Sequence, residues 1–203
     1  MYRNLSEISS KKIIGVSGPM LAGKDTLVNY IVETLTLHHN IAVTHLHFSD
    51  PLRQIILSIK GEDSRLSYHK LTLLLKEYFG KDVLTKLISN ETLNSKDDLI
   101  IWNGVRSEPD VLALRCFKNN ILIYIDASID DLYARLLLRA RNSGDKNKFK
   151  EELKEDLSRS TETHLSKIKK KADFIIENKD DELEKTKREF YKVIINEFLK
   201  IKT

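Results

Sequence analysis

The chain has 203 residues, of which 41% are hydrophobic and 32% charged, and this composition predicts one globular domain rather than a disordered or collagen-like chain. No stretch approaches the roughly 18 apolar residues that span a bilayer, no apolar signal core opens the chain, and the single Cys116 cannot form an internal disulfide, so we expect a cytoplasmic protein without a membrane partner. The net charge of +4 permits an anionic ligand, but basic and acidic residues alternate, so we expect no nucleic-acid partner.

Short apolar runs alternate with helical patterns along the whole chain. The runs predict five strands, at 13–16, 41–48, 99–102, 121–125 and 174–176. Helical spacing is found at 24–37, across a helix-rich stretch 52–89, and at 108–118, 129–141, 148–171 and 181–200. This alternation predicts an α/β fold with a parallel sheet covered on both faces, and it places ligand binding at the carboxyl ends of the strands.

The most informative motif is a glycine-rich loop between the first strand and the first helix. It begins at Gly18 and ends with Gly23, Lys24, Asp25 and Thr26. Such a loop can turn consecutive backbone N–H groups toward phosphate oxygens, the following helix adds its positive N-terminal end, and the lysine supplies a cation. The motif therefore predicts a phosphate-binding site.

Asp25 departs from the usual form of this motif, in which Ser or Thr follows the lysine. A carboxylate suits a hard cation, so Asp25 could bind Mg²⁺ directly or through water. Thr26 would then be left to contact a phosphate oxygen.

Two later motifs come at the ends of the second and third predicted strands, and a third comprises the fifth predicted strand with the loop after it. They read Phe-Ser-Asp-Pro-Leu-Arg at 48–53, Asn-Gly-Val-Arg at 103–106, and Ala-Asp-Phe-Ile-Ile-Glu-Asn at 172–178. With the Gly-Lys-Asp-Thr ending of the loop, they resemble P-loop nucleoside monophosphate kinases, particularly phage deoxynucleoside monophosphate kinases and dephospho-coenzyme A kinase-like proteins. The resemblance covers nearly the whole chain. It implies the three-layer P-loop fold with sheet order 2-3-1-4-5, ATP and Mg²⁺ as cofactors, and a small phosphoacceptor.

The resemblance also implies a domain plan and a set of site residues. The chain 1–203 would be one kinase domain, with a helical acceptor-binding region at about 50–95 and a lid at about 139–149. The catalytic set would be Lys24, Asp50, Arg106 and Arg139. The ATP-binding set would be Gly18, Ala22, Gly23, Lys24, Asp25, Thr26, Arg135 and Asn178. The acceptor would contact Asp50, Arg53, Arg106 and Arg141.

Several of these residues also have simpler interpretations. Asp50 precedes a proline and could only cap the helix that follows. Arg106 could form a surface salt bridge, and the arginines of the predicted lid could belong to an ordinary solvated helix end. His45 and His47 share one face of the second strand, but without a third ligand nearby we expect packing or rim positions rather than a metal site.

Asn103 occupies a position that is usually Asp in the resembling families, where it orders the water shell of Mg²⁺. An amide there weakens the metal site, and we expect Asp25 to compensate as the metal-directed anion from the loop side, or Asp50 from the second strand, with Asn103 only a weak contributor. The favoured function is phosphate transfer from ATP to a (deoxy)nucleoside monophosphate by a monomer or homodimer. A dephospho-coenzyme A kinase-like enzyme, a catalytically weak nucleotide-binding regulator and a nucleic-acid-binding module are the alternatives.

Overall fold

A computed structural model of the chain describes residues 11–60, 65–143, 164–179 and 181–201. Its five strands are parallel and lie in the order β2-β3-β1-β4-β5, as the resemblance implies. Their bounds are β1 Lys12–Ser17, β2 Val43–His47, β3 Leu99–Val105, β4 Asn119–Asp126 and β5 Phe174–Glu177. β1 therefore lies at the centre of the sheet, and the loop that follows it opens at the carboxyl edge.

Helices connect successive strands and cover both faces of the sheet. Their bounds are α1 Lys24–His39, α2 Asp50–Lys60, α3 Arg65–Phe79, α4 Val83–Asn94, α5 Glu108–Arg115, α6 Ile129–Ser143, α7 Ser166–Lys171 and α8 Leu183–Lys192. A π-helical segment, Val193–Leu199, continues α8. None of the helices in the described ranges is long and apolar enough to cross a membrane.

Alternating strand residues feed two hydrophobic cores, one on each face. On one face Ile14 and Ile101 pack with α1, which buries Leu27, Ile31 and other apolar residues at helical spacing, and with the C-terminal helical segment. On the other face the neighbouring residues Ile13 and Ile100 pack with α4, α5 and α7. Successive strand residues point to opposite faces of the sheet. Because the central strands are almost wholly apolar, both faces need to be covered.

The structure divides the predicted helix-rich stretch 52–89 into α2, α3 and the first half of α4, so the helical excursion between the second and third strands is present. The helix predicted at 108–118 is shorter in the structure than in the prediction: α5 ends at Arg115, and β4 begins at Asn119. Of the predicted helix 148–171, residues 148–163 lie outside the described residues, and the part described as α-helix is α7. Residues 144–149 of the predicted lid also lie outside.

Candidate functional site

The loop between β1 and α1 is closed over the side chain of Lys24. This lysine is only 7% exposed, and its Nζ donates hydrogen bonds to the carbonyls of Gly18 at 3.0 Å and Pro19 at 2.7 Å. The first helical hydrogen bond of α1 runs from Leu27 N–H to Gly23 O. Lys24 therefore stands at the N-terminus of a helix that begins directly at the loop, as the motif predicts.

Gly18 and Gly23 both take backbone conformations that L side chains rarely adopt, with φ of +139° and +85°. A Cβ at Gly18 would stand 2.2 Å from the carbonyl oxygen of Ile125 on β4, and a Cβ at Gly23 would stand 2.3 Å from Asn178 Nδ2. Each glycine is thus required both by its φ and by a close neighbour. The loop is pressed against the ends of β4 and β5.

Two side chains from outside the loop hold its carbonyl groups. Arg135 on α6 donates from Nη1 to Leu21 O at 3.0 Å and from Nη2 to Asn178 O at 2.8 Å. Asn178, just after β5, donates from Nδ2 to Ala22 O at 2.8 Å. Leu21 takes a left-handed φ of +64°, a strained conformation for leucine that this bracing offsets. Arg135 and Asn178 therefore lie at the loop, as expected for the ATP-binding set, and the contacts that they make here are to the loop itself.

We expect Asn178→Ala to loosen this loop. The change leaves Ala22 O without its donor, at a cost of about 1–2 kcal/mol in the free energy of unfolding, and it should lower the affinity for adenine nucleotide severalfold. Isothermal titration with a nonhydrolysable ATP analogue and thermal unfolding measure the two effects. Glu177→Ala, at the exposed neighbouring position, is the matched control. Unchanged affinity and stability in Asn178→Ala would contradict the bracing role.

A cleft of about 520 Å³ opens beside the loop. Of the described residues that line it, four carry basic side chains and Asp25 alone carries a carboxylate. The basic residues are Lys24, Arg106, Arg135 and Lys179, and Met20, Leu21 and Leu183 add apolar surface. The cleft thus combines a positive interior with a helix N-terminus, which favours a polyanion with an apolar portion.

The electrostatics of Lys24 indicate a site that is incomplete without an anion. Burial and the nearby Arg106 guanidinium lower the pKa of Lys24 to about 7, while Asp25 opposes the shift. The side chain of Arg106 is exposed and opens to the same cleft. A phosphate group bound between the two cations would favour their charged forms.

Arg106 is placed by a buried carboxylate that the sequence reasoning missed. Asp110 is 4% exposed, and its Oδ2 accepts hydrogen bonds from Arg106 N–H at 3.0 Å and Ser107 N–H at 2.8 Å. Its Oδ1 accepts a hydrogen bond from Thr85 Oγ1 at 2.5 Å. Ser107 and Asp110 also form the capping box of α5, so the Ser-x-x-Asp spacing in the sequence was the available signal.

Asp25 is held by side chains from two neighbouring strands. Asn103 at the end of β3 donates from Nδ2 to Asp25 Oδ1 at 2.7 Å, and His47 at the end of β2 places Nε2 3.4 Å from the same oxygen. The hydrogen bond with His47, followed by that with Asn103 and the charge of Lys24, holds the pKa of Asp25 well below its usual range, against the effect of burial. His47 thus lies in the site, where the sequence indicated only packing or a rim.

The ring of His47 is itself oriented. Ser49 N–H donates to His47 Nδ1 at 3.2 Å, so the hydrogen of the neutral ring lies on Nε2 and faces Asp25. His45 Nε2 accepts the second N–H of Asn103 at 3.3 Å, and burial lowers the pKa of this imidazole. Asn103 is fully buried, and its Oδ1 has no hydrogen-bond partner among the residues that the structure describes.

The donor set fits Mg²⁺ bound together with phosphate. No group of three or more His, Cys, Asp or Glu side chains in the described part of the chain could hold a metal by itself. Mg²⁺ usually keeps several waters and takes one or two carboxylates plus substrate phosphates. Asp25, at the N-terminus of α1 in the cleft, supplies the one carboxylate that this kind of site needs, through its Oδ2.

Of the proposed acceptor residues, Arg106 lines the cleft, whereas Asp50 and Arg53 lie beside it. Asp50 begins α2, and its Oδ2 accepts His47 N–H at 3.2 Å. The partial burial of Glu91 on α4 raises the pKa of Glu91, and the negative charge of Asp50 adds to this effect. Arg53 is exposed one turn further along α2. The backbone positions of Arg139 and Arg141 are in α6, and their side chains lie outside the described set.

The sequence matches no known family model and no curated protein. Solved structures do match it over most of its length. The shikimate kinase from Acinetobacter baumannii, in complex with shikimate, is 18% identical over 97% of this chain and 98% of that chain, with a TM-score of 0.55. TT1252 from Thermus thermophilus is 16% identical over 91% and 96%, with a TM-score of 0.56. The shikimate kinase from Bacteroides thetaiotaomicron is 15% identical over 90% and 98%, with a TM-score of 0.50.

These similarities define the class of the fold. The chain has the α/β fold of P-loop kinases, with five parallel strands in the order that such kinases share, in agreement with the nucleoside monophosphate kinase superfamily suggested by its motifs.

Proposed function

We propose that the protein transfers the γ-phosphate of ATP to a small-molecule acceptor. The observation that carries the proposal is the buried Lys24, closed under a glycine loop at the N-terminus of α1, in a cleft that also presents Arg106. In phosphoryl transfer the protein has little covalent chemistry to perform, and positioning with electrostatic stabilisation supplies the catalysis. Buried lysine, guanidinium and helix N-terminus are the groups that such a reaction needs.

The donor nucleotide would bind along the loop. Lys24 and the loop N–H groups would hold the phosphates, Thr26 would donate to a phosphate oxygen, and Arg135 and Asn178 would keep the loop in its binding conformation. Bound Mg²⁺ would neutralise charge on the phosphates, held by Asp25 directly or through water, with Asn103 beside it. Arg139, on the part of the chain that leads to the proposed lid, would close over the transferring group.

The acceptor would lie on the side of β2, β3 and α2. Asp50 would orient the accepting oxygen, while Arg53, Arg106 and Arg141 would contact an acceptor anion. A (deoxy)nucleoside monophosphate is the acceptor that the sequence motifs favour. Two of the three solved neighbours are shikimate kinases, and a hydroxylated carboxylic acid would engage the same carboxylate and guanidinium groups.

Asn103 supports the second candidate, a nucleotide-binding regulator with little turnover. Its amide replaces a negative charge at the end of β3, where a carboxylate would strengthen a metal site. The regulator would bind ATP without forming product. A dephospho-coenzyme A kinase-like enzyme differs from the favoured reading only in its acceptor.

A panel of acceptors tests the proposal. ADP formation from Mg·ATP is measured with each ribo- and deoxyribonucleoside monophosphate, dephospho-coenzyme A and shikimate, and without acceptor. We expect one acceptor class to raise ADP formation far above the acceptor-free rate, which would also identify the substrate. ATP binding with no acceptor-dependent ADP would instead favour the regulator.

A further inference from the structure

Asp25 is the point where side chains from the ends of β2 and β3 meet the N-terminus of α1. The residue follows Lys24 directly, its side chain is 72% exposed at the cleft, and both of its side-chain donors meet the same atom, Oδ1. Nothing in the described part of the chain bonds Oδ2. The carboxylate is therefore fixed at one oxygen and open at the other.

A carboxylate as exposed as this needs no buried donors for its solvation, because water is available to it. The donors are nevertheless specialised. Asn103 is fully buried and leaves its own Oδ1 unpaired, and His47 is held by Ser49 N–H in the tautomer that faces Asp25. This arrangement indicates that orientation of Asp25, rather than its solvation, is what the two donors provide.

The amide at position 103 fits this purpose better than a carboxylate would. An ionised carboxylate there has no hydrogen to donate, so it could not form the bond that Asn103 Nδ2 makes to Asp25 Oδ1. An amide N–H instead stabilises ionised Asp25 and restricts its rotation. An uncharged side chain at Asn103 therefore suits a charged one at Asp25.

We infer that Asn103 and His47 are positioning residues that anchor Asp25 through Oδ1 and so present Oδ2 to the divalent cation of a metal–triphosphate complex. The inference rests on the proposed function, because the cation arrives with the nucleotide. Hydrogen-bonded partners of a metal ligand affect metal affinity by about 10–100-fold. Asn103 and His47 should therefore act on the metal-dependent part of nucleotide affinity, and only through Asp25.

The test uses the full chain and the nonhydrolysable analogue β,γ-imido-ATP. Its Kd is measured by titration calorimetry with Mg²⁺ and with EDTA, and the ratio of the two values is compared among variants. A merely structural role would change both Kd values together and leave the ratio unaltered. We expect Asn103→Ala to lower the Mg²⁺ enhancement about tenfold and Asp25→Asn to lower it at least as much.

The double variant Asp25→Asn/Asn103→Ala should match Asp25→Asn alone, because Asn103 has no further route to the metal. At position 47, His47→Gln keeps a donor near the place of Nε2 and should retain most of the enhancement, whereas His47→Asn loses that donor and should not. The two His47 variants still test the inference if Asn103→Ala does not fold, because the His47 side chain is 28% exposed and its replacement disturbs the core less.

Additive effects of Asp25→Asn and Asn103→Ala, or a wild-type ratio in both Asn103→Ala and His47→Asn, would overturn the inference while leaving the proposed function intact. So would wild-type binding that is insensitive to Mg²⁺. Failure of the wild-type protein to bind the analogue under either condition would instead remove the proposed function, and this inference with it.

Discussion

Lys24→Ala should abolish phosphate transfer and weaken triphosphate binding. The variant removes the cation that the loop encloses, and loss of one preorganised charge contact of this kind lowers kcat by at least about 100- to 1000-fold, so that no transfer is detected above the acceptor-free rate. It also removes the Lys24 Nζ hydrogen bonds to the carbonyls of Gly18 and Pro19, of which Pro19 O keeps only the Ala22 N–H at 3.3 Å, so the loop loses part of its closure. Acceptor-dependent ADP formation and calorimetric titration with β,γ-imido-ATP measure the two consequences.

Lys179→Ala is the matched control for this prediction. It removes a positive charge from the lining of the same cleft, but the Lys179 side chain is 47% exposed and pairs with Glu177. Because solvent screens a charge this exposed, activity should stay within about fivefold of wild type. Comparable losses in both variants would mean that Lys24 acts only as general positive charge, and full activity of Lys24→Ala would refute the assignment of the loop.

Gly18→Ala should be among the most destabilising single substitutions in the chain. The φ of +139° strains any L residue, and the new Cβ would stand 2.2 Å from Ile125 O, which is backbone of β4 and cannot move aside as a side chain could. We expect a loss of about 3 kcal/mol or more, equivalent to a fall in Tm of roughly 6–12 °C. Thermal unfolding followed by circular dichroism measures it.

Gly80→Ala separates backbone strain from steric conflict. Gly80 has a φ of +93° just after α3, but its nearest neighbour to a new Cβ is Asp82 Oδ1 at 3.3 Å, the end of a side chain. Its Tm should fall by only about 2–4 °C, the share due to positive φ alone. Equal shifts in the two variants would show that the loop does not press against β4 as closely as described.

The fold followed from the sequence because its signals were local. Apolar runs marked the strands, helical spacing marked α1 and α8, and the glycine loop fixed the edge at which the site lies. The boundaries of α5 and β4 were less accurate, since both depend on where residues 116–118 turn. The strand order needed the resemblance, because periodicity carries no information about which parallel strands are neighbours.

The loop, Lys24 and Arg106 could be predicted from motifs, whereas the supporting contacts could not. His47 touches Asp25 because β2 and β3 end beside α1, and no spacing in the sequence reports that adjacency. Asp110 belongs to the capping box of α5, and this role accounts for the residue in the sequence without any role at the site. Asn178 was expected at the nucleotide, and its contact with Ala22 O depends on how β5 meets the loop.

The central claim is tested most directly by following the γ-phosphate itself. ATP labelled at the γ position is incubated with Mg²⁺, the protein and the acceptor panel, with Lys24→Ala in parallel, and label in phosphorylated acceptor, inorganic phosphate and ATP is separated. The account predicts one acceptor labelled in equal amount to the ADP formed, and no transfer with Lys24→Ala. Label that stays in ATP, or appears only as inorganic phosphate, would contradict it.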